Sequence, residues 1–258
     1  IDLPPLRRRL EDLPLLADHF ARAIAHCQGK YIALADQDDV WLPEKVETLV
    51  NNIGHHSLIY SNAFRIDQKK RVQSNLEWTY FTIPSRKEEQ FKQLLYKLTA
   101  RACAIMFRRE LLSKALPFPD AGIDWWLAIV ATRMNGIKYL NTSLFYHREH
   151  SDNYSFQGYY PYWRAILHFF TIKAQYQRRI YTIYLYDNLK AAYQSPIFNN
   201  FEKEYLKEAM EYIEDICNSR LHLKTARREI KYRSALYPYT SVRQFLKKWL
   251  YIISKVLY

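Results

Sequence analysis

Three carboxylates lie within four residues of this chain, in the run Asp36-Gln37-Asp38-Asp39, directly after a short apolar stretch. Carboxylates one residue apart can approach a single hard cation from one loop, and Mg²⁺ or Mn²⁺ bound in this way keeps positions for phosphate oxygens and water. A plainer interpretation is a solvated acidic loop ahead of a helix, because Asp is common in loops and near helix starts. The residues alone leave both interpretations open.

The apolar stretch before the carboxylates, Tyr31 to Ala35, must position them. It is continuous and follows Gly29, a pattern that predicts a fully buried strand of a parallel sheet. In open α/β sheets ligands gather at the carboxyl ends of strands, which is where the acidic run would lie. Helices are predicted on both sides, over residues 11–27 and from Pro43 onward. The second helix would turn three apolar side chains inward: Val46, Leu49 and Val50.

Strand and helix signals alternate as far as about residue 157, which favours an α/β fold. A capping-box pattern from Ser85 to Glu88 predicts one helix start, and Asn135-Gly136 ends another helix that begins near Asp124. The remaining predicted elements are strands over residues 57–61, 102–107 and 137–146, a helix over 109–115, and a helical extension with stretches at 163–193, 201–216 and 243–257.

The stretch from Gly29 to Lys45, GKYIALADQDDVWLPEK, closely resembles the core of the inverting glycosyltransferase family 2, particularly its rhamnosyltransferase-like members. The resemblance implies a nucleotide-diphospho-sugar transferase sheet, GT-A-like and Rossmann-like, with a helical C-terminal extension. It also implies Mg²⁺ or Mn²⁺ as the cofactor that holds the diphosphate of a sugar nucleotide. By resemblance, Asp36 and Asp38 are metal ligands and Asp39 supports them at the bound substrate.

A second similar region runs from Ala104 to Leu111 and from Leu116 to Pro119 into Asp124. The family places here the aspartate that deprotonates the acceptor hydroxyl, so the resemblance implies that Asp124 is the catalytic base. Positioned general bases contribute about 10²- to 10⁴-fold in rate. Relatives often carry His before this aspartate, whereas this chain has Ile123. From the residues alone, Asp124 could instead cap the helix that follows it.

A third similar region, Phe145 to Asn153, resembles the strand end that closes the family's active site. It implies that Arg148 clamps the diphosphate through paired N–H donors and that His150 contacts the metal or a phosphate. An ordinary polar surface loop is the alternative. Asn62, after the strand predicted over 57–61, would line the sugar pocket or satisfy a turn.

The resemblance covers about residues 20–155, and the strand-helix-strand unit that opens the family's fold has no counterpart before Asp36, so an incomplete sheet is expected. Residues 3–20 instead resemble a connecting segment of the AAA+ ATPase domain of enhancer-binding transcriptional activators, although no Gly-rich phosphate loop occurs. We therefore divide the chain into a foreign or fused helical segment (1–20), a partial catalytic domain (21–157) and a helical, basic extension (158–258).

The net charge of +12 is concentrated near the end, where residues 218–258 carry ten Lys or Arg against one acid, Glu229. Such a segment binds polyanions, with an anionic membrane surface as the expected partner rather than nucleic acid. Residues 242–258 would lie in a membrane interface or pack on the core with a basic outer face. Three scattered cysteines favour a reducing compartment, so the expected location is the cytoplasm, with peripheral attachment to the inner face of the cell membrane.

These observations predict an inverting, metal-dependent glycosyltransferase. Its donor would be a nucleotide-diphosphate sugar, with rhamnose as a candidate sugar, and its acceptor a cell-surface glycan or a lipid-linked molecule. The sequence leaves a second hypothesis open, in which the chain is a catalytically inactive, truncated remnant that binds the membrane surface. A nucleic-acid-binding regulator would require salt-sensitive DNA binding.

Overall fold

The computed structural model describes residues 13–67, 69, 71–74, 82–97, 99–119, 122–148 and 172–217. In chain order the elements are α1 (Leu13–His26), β1 (Tyr31–Ala33), β2 (Val40–Trp41), α2 (Lys45–Asn52), β3 (Leu58–Ile66), β4 (Val72–Ser74), α3 (Lys87–Leu94), a 3-10 turn (Ala102–Ala104), β5 (Ile105–Arg108), a second 3-10 turn (Arg109–Leu111), α4 (Leu112–Ala115), α5 (Ile123–Thr132), β6 (Ile137–Arg148), α6 (Ile172–Gln194) and α7 (Asn200–Cys217). The α/β class predicted from the sequence is confirmed.

The six strands form one mixed sheet in the order β1-β5-β3-β6-β2, with β4 paired to β3. Of the strand pairs that the structure describes, only β3 and β6 run parallel, in register from Leu58 opposite Ile137 to Ile66 opposite Arg148 with local irregularities. β1 is antiparallel to β5 and lies at an edge of the described sheet, with Tyr31 and Ala33 only half-buried, so the prediction of a fully buried strand in a parallel sheet is wrong. A continuous apolar run does not determine the direction of the neighbouring strand.

Helices cover both faces of this sheet. The side chains of β3 therefore enter two buried clusters alternately, one on each face. Leu58 and Tyr60 belong to the larger cluster, which includes the buried side chains of α3 and α5. Ile59 belongs to the smaller cluster, where it packs with Leu49 and Ile53 at α2. This two-sided burial explains the uninterrupted apolar pattern of the central strands.

The helix α5 is apolar all round and every residue from Trp125 to Thr132 is buried. Both indoles use their polar end, since Trp125 Nε1 donates to Leu94 O at 2.8 Å and Trp126 Nε1 donates to Ala115 O at 2.9 Å. A buried helix fixed by two such bonds holds its amino-terminal turn, and therefore Asp124, in a defined place.

Three local predictions require correction. Val46, predicted to face inward, is 45% exposed, because α2 instead turns the Lys45 side chain inward. The helix predicted from the capping box is confirmed as α3, but Ser85 is not its cap: Arg86 occupies that position with φ −85° and ψ 132° and makes no side-chain capping bond. The strand predicted over 102–107 begins at Ile105, after a 3-10 turn.

The helical extension is confirmed over residues 172–217, where α6 and α7 lie side by side. Their apolar side chains join the larger core cluster together with α3 and α5, notably Leu185, Leu189, Leu206 and Ile213. The helix predicted over 243–257 and the basic segment lie outside the described residues. Among the helices that are described, none is long and apolar enough to span a bilayer. The division of the chain into three domains stays a prediction.

Candidate active site

The acidic loop, which we define as residues 34–39, is attached to the end of β6. It leaves β1 and enters β2, whose residues Val40 and Trp41 pair antiparallel with Tyr146 and Phe145. The next residues of β6, His147 and Arg148, therefore lie beside the acidic loop. Their position follows from strand pairing, which the sequence did not reveal because β2 is only two residues long.

Asp39 points into the protein and binds His147. The Asp39 side chain is 0% exposed, and its Oδ1 lies 3.0 Å from His147 Nδ1. The backbone N–H of Arg148 donates to the same oxygen at 3.4 Å, whereas Oδ2 is buried without a hydrogen-bond partner in the described part of the chain. Asp39 thus ties the acidic loop to the end of β6.

Arg148 lies beside the acidic loop, where its side chain contacts the protein backbone. Its Nε donates to the carbonyl oxygen of Asp38 at 3.0 Å. This bond holds the Asp38 backbone in place and keeps a guanidinium beside the carboxylates. The predicted diphosphate clamp stays a prediction.

Asp36 sits in a crowded, partly buried environment. Burial raises the pKa of the Asp36 carboxyl, and the negative charges of Asp39 and Asp38 raise it further. His147 and a hydrogen bond from the Cys103 thiol act in the opposite direction. A carboxylate held among two others is stabilised by any added cation, which is the electrostatic condition for a metal site.

Lys45 supplies one positive charge to this region, and no local sequence pattern predicts it. The residue is 1% exposed, its Nζ donates to Cys103 O at 2.8 Å, and the ammonium lies 3.9 Å from the Trp41 ring centroid and 4.0 Å from that of Phe145. Burial lowers the pKa of Lys45 to about 8, although Asp39 and Asp36 favour the charged form. The Pro-Glu-Lys sequence gives no sign that this lysine is enclosed by two aromatic rings.

Asp124 is held at the start of α5 by donors from three segments. Its Oδ1 accepts from the Trp125 backbone N–H at 2.8 Å and from the Tyr184 hydroxyl at 3.2 Å, and the Ala102 backbone N–H also bonds to the carboxylate. Burial raises the pKa of Asp124, while these donors and the nearby Arg101 charge oppose the rise. Gly122, not Asp124, occupies the N-cap position of α5, although the Asp124 side chain does accept from an N–H of the first turn.

One 3-10 turn connects the two carboxylates expected to do the chemistry. Within it, the Ala102 N–H lowers the pKa of Asp124 and the Cys103 thiol lowers that of Asp36, while the Cys103 carbonyl oxygen accepts from Lys45 Nζ at 2.8 Å. Since Ala102 and Cys103 are consecutive, the acidic loop and the start of α5 both lie near this turn.

The oxygen donors of the acidic loop fit a divalent cation such as Mg²⁺ or Mn²⁺. Two observations support this fit: the raised pKa of Asp36 among neighbouring carboxylates, and the buried, unpartnered Oδ2 of Asp39 within the described part of the chain. Asp39, Cys103 and His147 also place one ligand atom each within 4.8 Å of one another. This second group suits hard cations poorly, because burial raises the pKa of the Cys103 thiol well above its usual value and keeps it protonated.

Two predicted site residues stand apart from these contacts. Asn62 is fully buried on β3, where its Oδ1 accepts from the Ala63 N–H at 2.9 Å beside an irregularity in the pairing with β6. Its place in a sugar pocket stays a prediction. His150 lies outside the described residues. Other residues at the site were not identified from the sequence: Lys45, Cys103, His147, Tyr184 and Asn188.

Residues 15–116 match the family described as Glycosyl transferase family 2. This segment is similar to that family. The resemblance drawn from the sequence is thereby confirmed. The family 2 segment includes the acidic loop, Lys45 and the 3-10 turn at Ala102–Ala104, and it ends before Asp124.

Among solved structures, the chain is similar to S. aureus TarS residues 1–349 in complex with UDP-GlcNAc, with 12% sequence identity and a TM-score of 0.45. The similarity covers 84% of this chain and 60% of that one. The chain thus spans less than two thirds of the length of that solved protein. No curated protein matches the chain.

Proposed function

We propose that this chain carries out an inverting, metal-dependent glycosyl transfer from a nucleotide-diphosphate sugar. Rhamnose is a candidate sugar, and the acceptor is a hydroxyl of a cell-surface glycan or of a lipid-linked molecule. The observation that supports the proposal best is the crowding of Asp36, Asp38 and Asp39 in one loop, where the negative charges of Asp39 and Asp38 raise the pKa of Asp36 and Asp39 Oδ2 is buried without a hydrogen-bond partner among the described residues. Such a loop favours a bound cation.

On the donor side, Asp36 and Asp38 would hold Mg²⁺ or Mn²⁺. When bound, the cation supplies charge neutralisation for the departing diphosphate. Two hydrogen bonds stabilise the acidic loop around this site: Arg148 Nε donates to the Asp38 carbonyl oxygen, and His147 Nδ1 contacts the Asp39 carboxylate. Asp39 then supports binding of the sugar nucleotide indirectly, by anchoring the acidic loop.

On the acceptor side, Asp124 would remove the proton from the attacking hydroxyl. The hydroxyl oxygen then bonds to the anomeric carbon from the face opposite the diphosphate, and the bond from that carbon to the diphosphate breaks, which inverts the configuration. The raised pKa of Asp124 makes it a stronger base than a solvated carboxylate, although a higher pH is then needed to ionise it.

Binding tests the donor side directly. Isothermal titration calorimetry with UDP, GDP and dTDP, in Mn²⁺ and again in EDTA, should show nucleoside diphosphate binding only with the metal. The double variant Asp36→Asn/Asp38→Asn should abolish it. Asp67→Asn, which changes a carboxylate bonded to Arg71 in the turn between β3 and β4, is the matched control and should bind normally. Binding in EDTA, or binding unchanged in the double variant, would contradict the donor site.

Turnover tests the acceptor side and separates the enzyme from an inactive remnant. Sugar-nucleotide consumption with membrane-extract acceptors should fall about 10²- to 10⁴-fold in Asp124→Asn, and NMR of the product should show an inverted anomeric configuration. Metal-dependent binding without turnover of any donor would instead favour the binding remnant at the membrane surface.

A further inference from the structure

Two side chains of α6 reach the start of α5. The Tyr184 hydroxyl donates to Asp124 Oδ1 at 3.2 Å, and Asn188 Oδ1 accepts from the Gly122 backbone N–H at 2.6 Å. The two residues are four apart, so they project from the same face of the helix one turn apart. α6 therefore holds the segment that carries Asp124 at two points.

Gly122 is the residue that lets Tyr184 come this close. Its backbone, at φ −63° and ψ 118°, is one that any amino acid adopts, so glycine is not needed for conformation. A Cβ at this position would overlap the Tyr184 hydroxyl and the adjoining ring atoms. The glycine thus makes room for a side chain from another element.

Core packing fixes the position of α6. Leu185 and Leu189 flank the contact residues and are buried in the larger cluster, and Asn188 itself is 1% exposed. A helix anchored in this way presents Tyr184 at a defined distance from Asp124. The contact between Tyr184 and Asp124 is therefore fixed by the packing of α6 against the core.

We propose that Tyr184 and Asn188 are positioning residues for Asp124, so that α6 is part of the transferase's acceptor site. The inference rests on the proposed role of Asp124 as the base. Tyr184 orients the carboxylate and stabilises its charged form, whereas Asn188 sets the backbone from which Asp124 projects. Neither residue touches the reacting atoms.

The groups that face Asp124 determine what loss of the tyrosine hydroxyl should do. They are the N–H groups of Trp125 and Ala102, the Tyr184 hydroxyl and the Arg101 charge, all of which favour the ionised carboxylate against burial. Removing one hydrogen-bond donor leaves fewer groups to counter the rise that burial causes in the pKa of Asp124. The pKa of Asp124 should then rise, by up to about one pH unit, and the fraction of active base below that pKa should fall about tenfold.

The test compares Tyr184→Phe with Tyr186→Phe in the full chain. Tyr186 lies on the same helix and donates to Glu214 Oε1 at 2.7 Å, so its variant also removes one tyrosine-to-carboxylate bond but leaves Asp124 alone. Carbon-13 NMR of labelled aspartate carboxyls, with Asp124→Asn used to assign the signal, measures the pKa without any substrate. We expect an upward shift in Tyr184→Phe and none in Tyr186→Phe.

Gly122→Ala provides a second, independent perturbation. The added methyl group should push the Tyr184 side chain aside and reproduce the shift of the Asp124 titration, while circular dichroism confirms the native fold. If both Tyr184→Phe and Gly122→Ala leave the Asp124 titration and the acidic limb of the pH–rate profile where the wild type has them, the positioning role is overturned.

The two proposals fail in different ways. A shifted Asp124 titration in Tyr184→Phe, together with Asp124→Asn transferring sugar as fast as wild type, would support the contact and overturn the role of Asp124 as base. Loss of transfer in Asp124→Asn, with Tyr184→Phe matching Tyr186→Phe in both titration and pH–rate profile, would support the base and overturn the role of α6.

Discussion

Asp36 and Asp124, 88 positions apart in the numbering, both lie near one 3-10 turn: the Cys103 thiol lowers the pKa of Asp36, and the Ala102 N–H lowers that of Asp124. The turn precedes β5, which lies between β1 and β3 in the sheet, so its position is fixed by strand pairing on both sides. The spacing between the acidic loop and the start of α5 is therefore a property of the sheet rather than of either loop.

The first prediction concerns the Ala102 N–H. Ala102→Pro removes this donor at the first position of the turn, where proline is tolerated, and the extended Arg101 before it, at φ −87° and ψ 145°, is compatible with a following proline. The pKa of Asp124 should rise, because burial is then opposed by one donor fewer. The acidic limb of the pH–rate profile should move to higher pH.

Ala102→Ser keeps the N–H and serves as the control for that experiment. Its profile should overlay the wild-type profile. An acidic limb that stays in place in Ala102→Pro, with transfer intact, would show that the Ala102 bond does not affect the base.

The second prediction concerns the buried contact between Asp39 and His147. His147→Phe should lower the free energy of unfolding by about 1–3 kcal/mol, because it removes the shorter of the two contacts of the buried Asp39 Oδ1 and leaves it only the Arg148 N–H at 3.4 Å. Urea denaturation of His147→Phe, Asp39→Asn and the double variant forms a double-mutant cycle. We expect a coupling of about 0.5–3 kcal/mol, and single effects that simply add would contradict the contact.

The third prediction concerns Lys45 and pH. The Lys45 pKa is about 8 in the folded chain against 10.5 for the free side chain in water, so the unfolded chain binds more protons between these pH values. Stability due to this lysine must therefore rise as pH increases from 8 to 10.5 and be lowest below pH 8. The difference in unfolding free energy between wild type and Lys45→Met should change by at most about 3 kcal/mol across that window.

Lys69→Met is the control for the pH experiment, since Lys69 is an exposed residue near β4. Its unfolding free energy should follow that of the wild type at every pH. A Lys45→Met curve that runs parallel to wild type from pH 8 to 10.5 would show that the buried ammonium keeps an ordinary affinity for protons.

The sequence predicted only those site residues that lie within short, recognisable motifs. The apolar run and the acidic cluster located the loop, and the family resemblance led to Asp124, because both signals lie within a few consecutive residues. Lys45 and Tyr184 were missed, since their roles depend on which distant element packs against them. The parallel direction assigned to β1 was wrong for the same reason: pairing partners cannot be read from composition.

The last prediction asks whether α6 and α7 fold together with the sheet. Leu189 is 0% exposed in the larger core cluster, so Leu189→Ala should lower the unfolding free energy by about 2–5 kcal/mol. Ile183→Ala on the same helix removes a side chain that is 49% exposed and should cost far less. In a Trp163→Phe/Trp249→Phe background, tryptophan fluorescence reports on the sheet and the helices packed on it, chiefly through the buried Trp125 and Trp126, and far-ultraviolet circular dichroism reports on all helices. Both probes should show one transition that Leu189→Ala shifts equally, because the helices and the sheet share one core; separate transitions would mean that residues 172–217 fold as an independent unit.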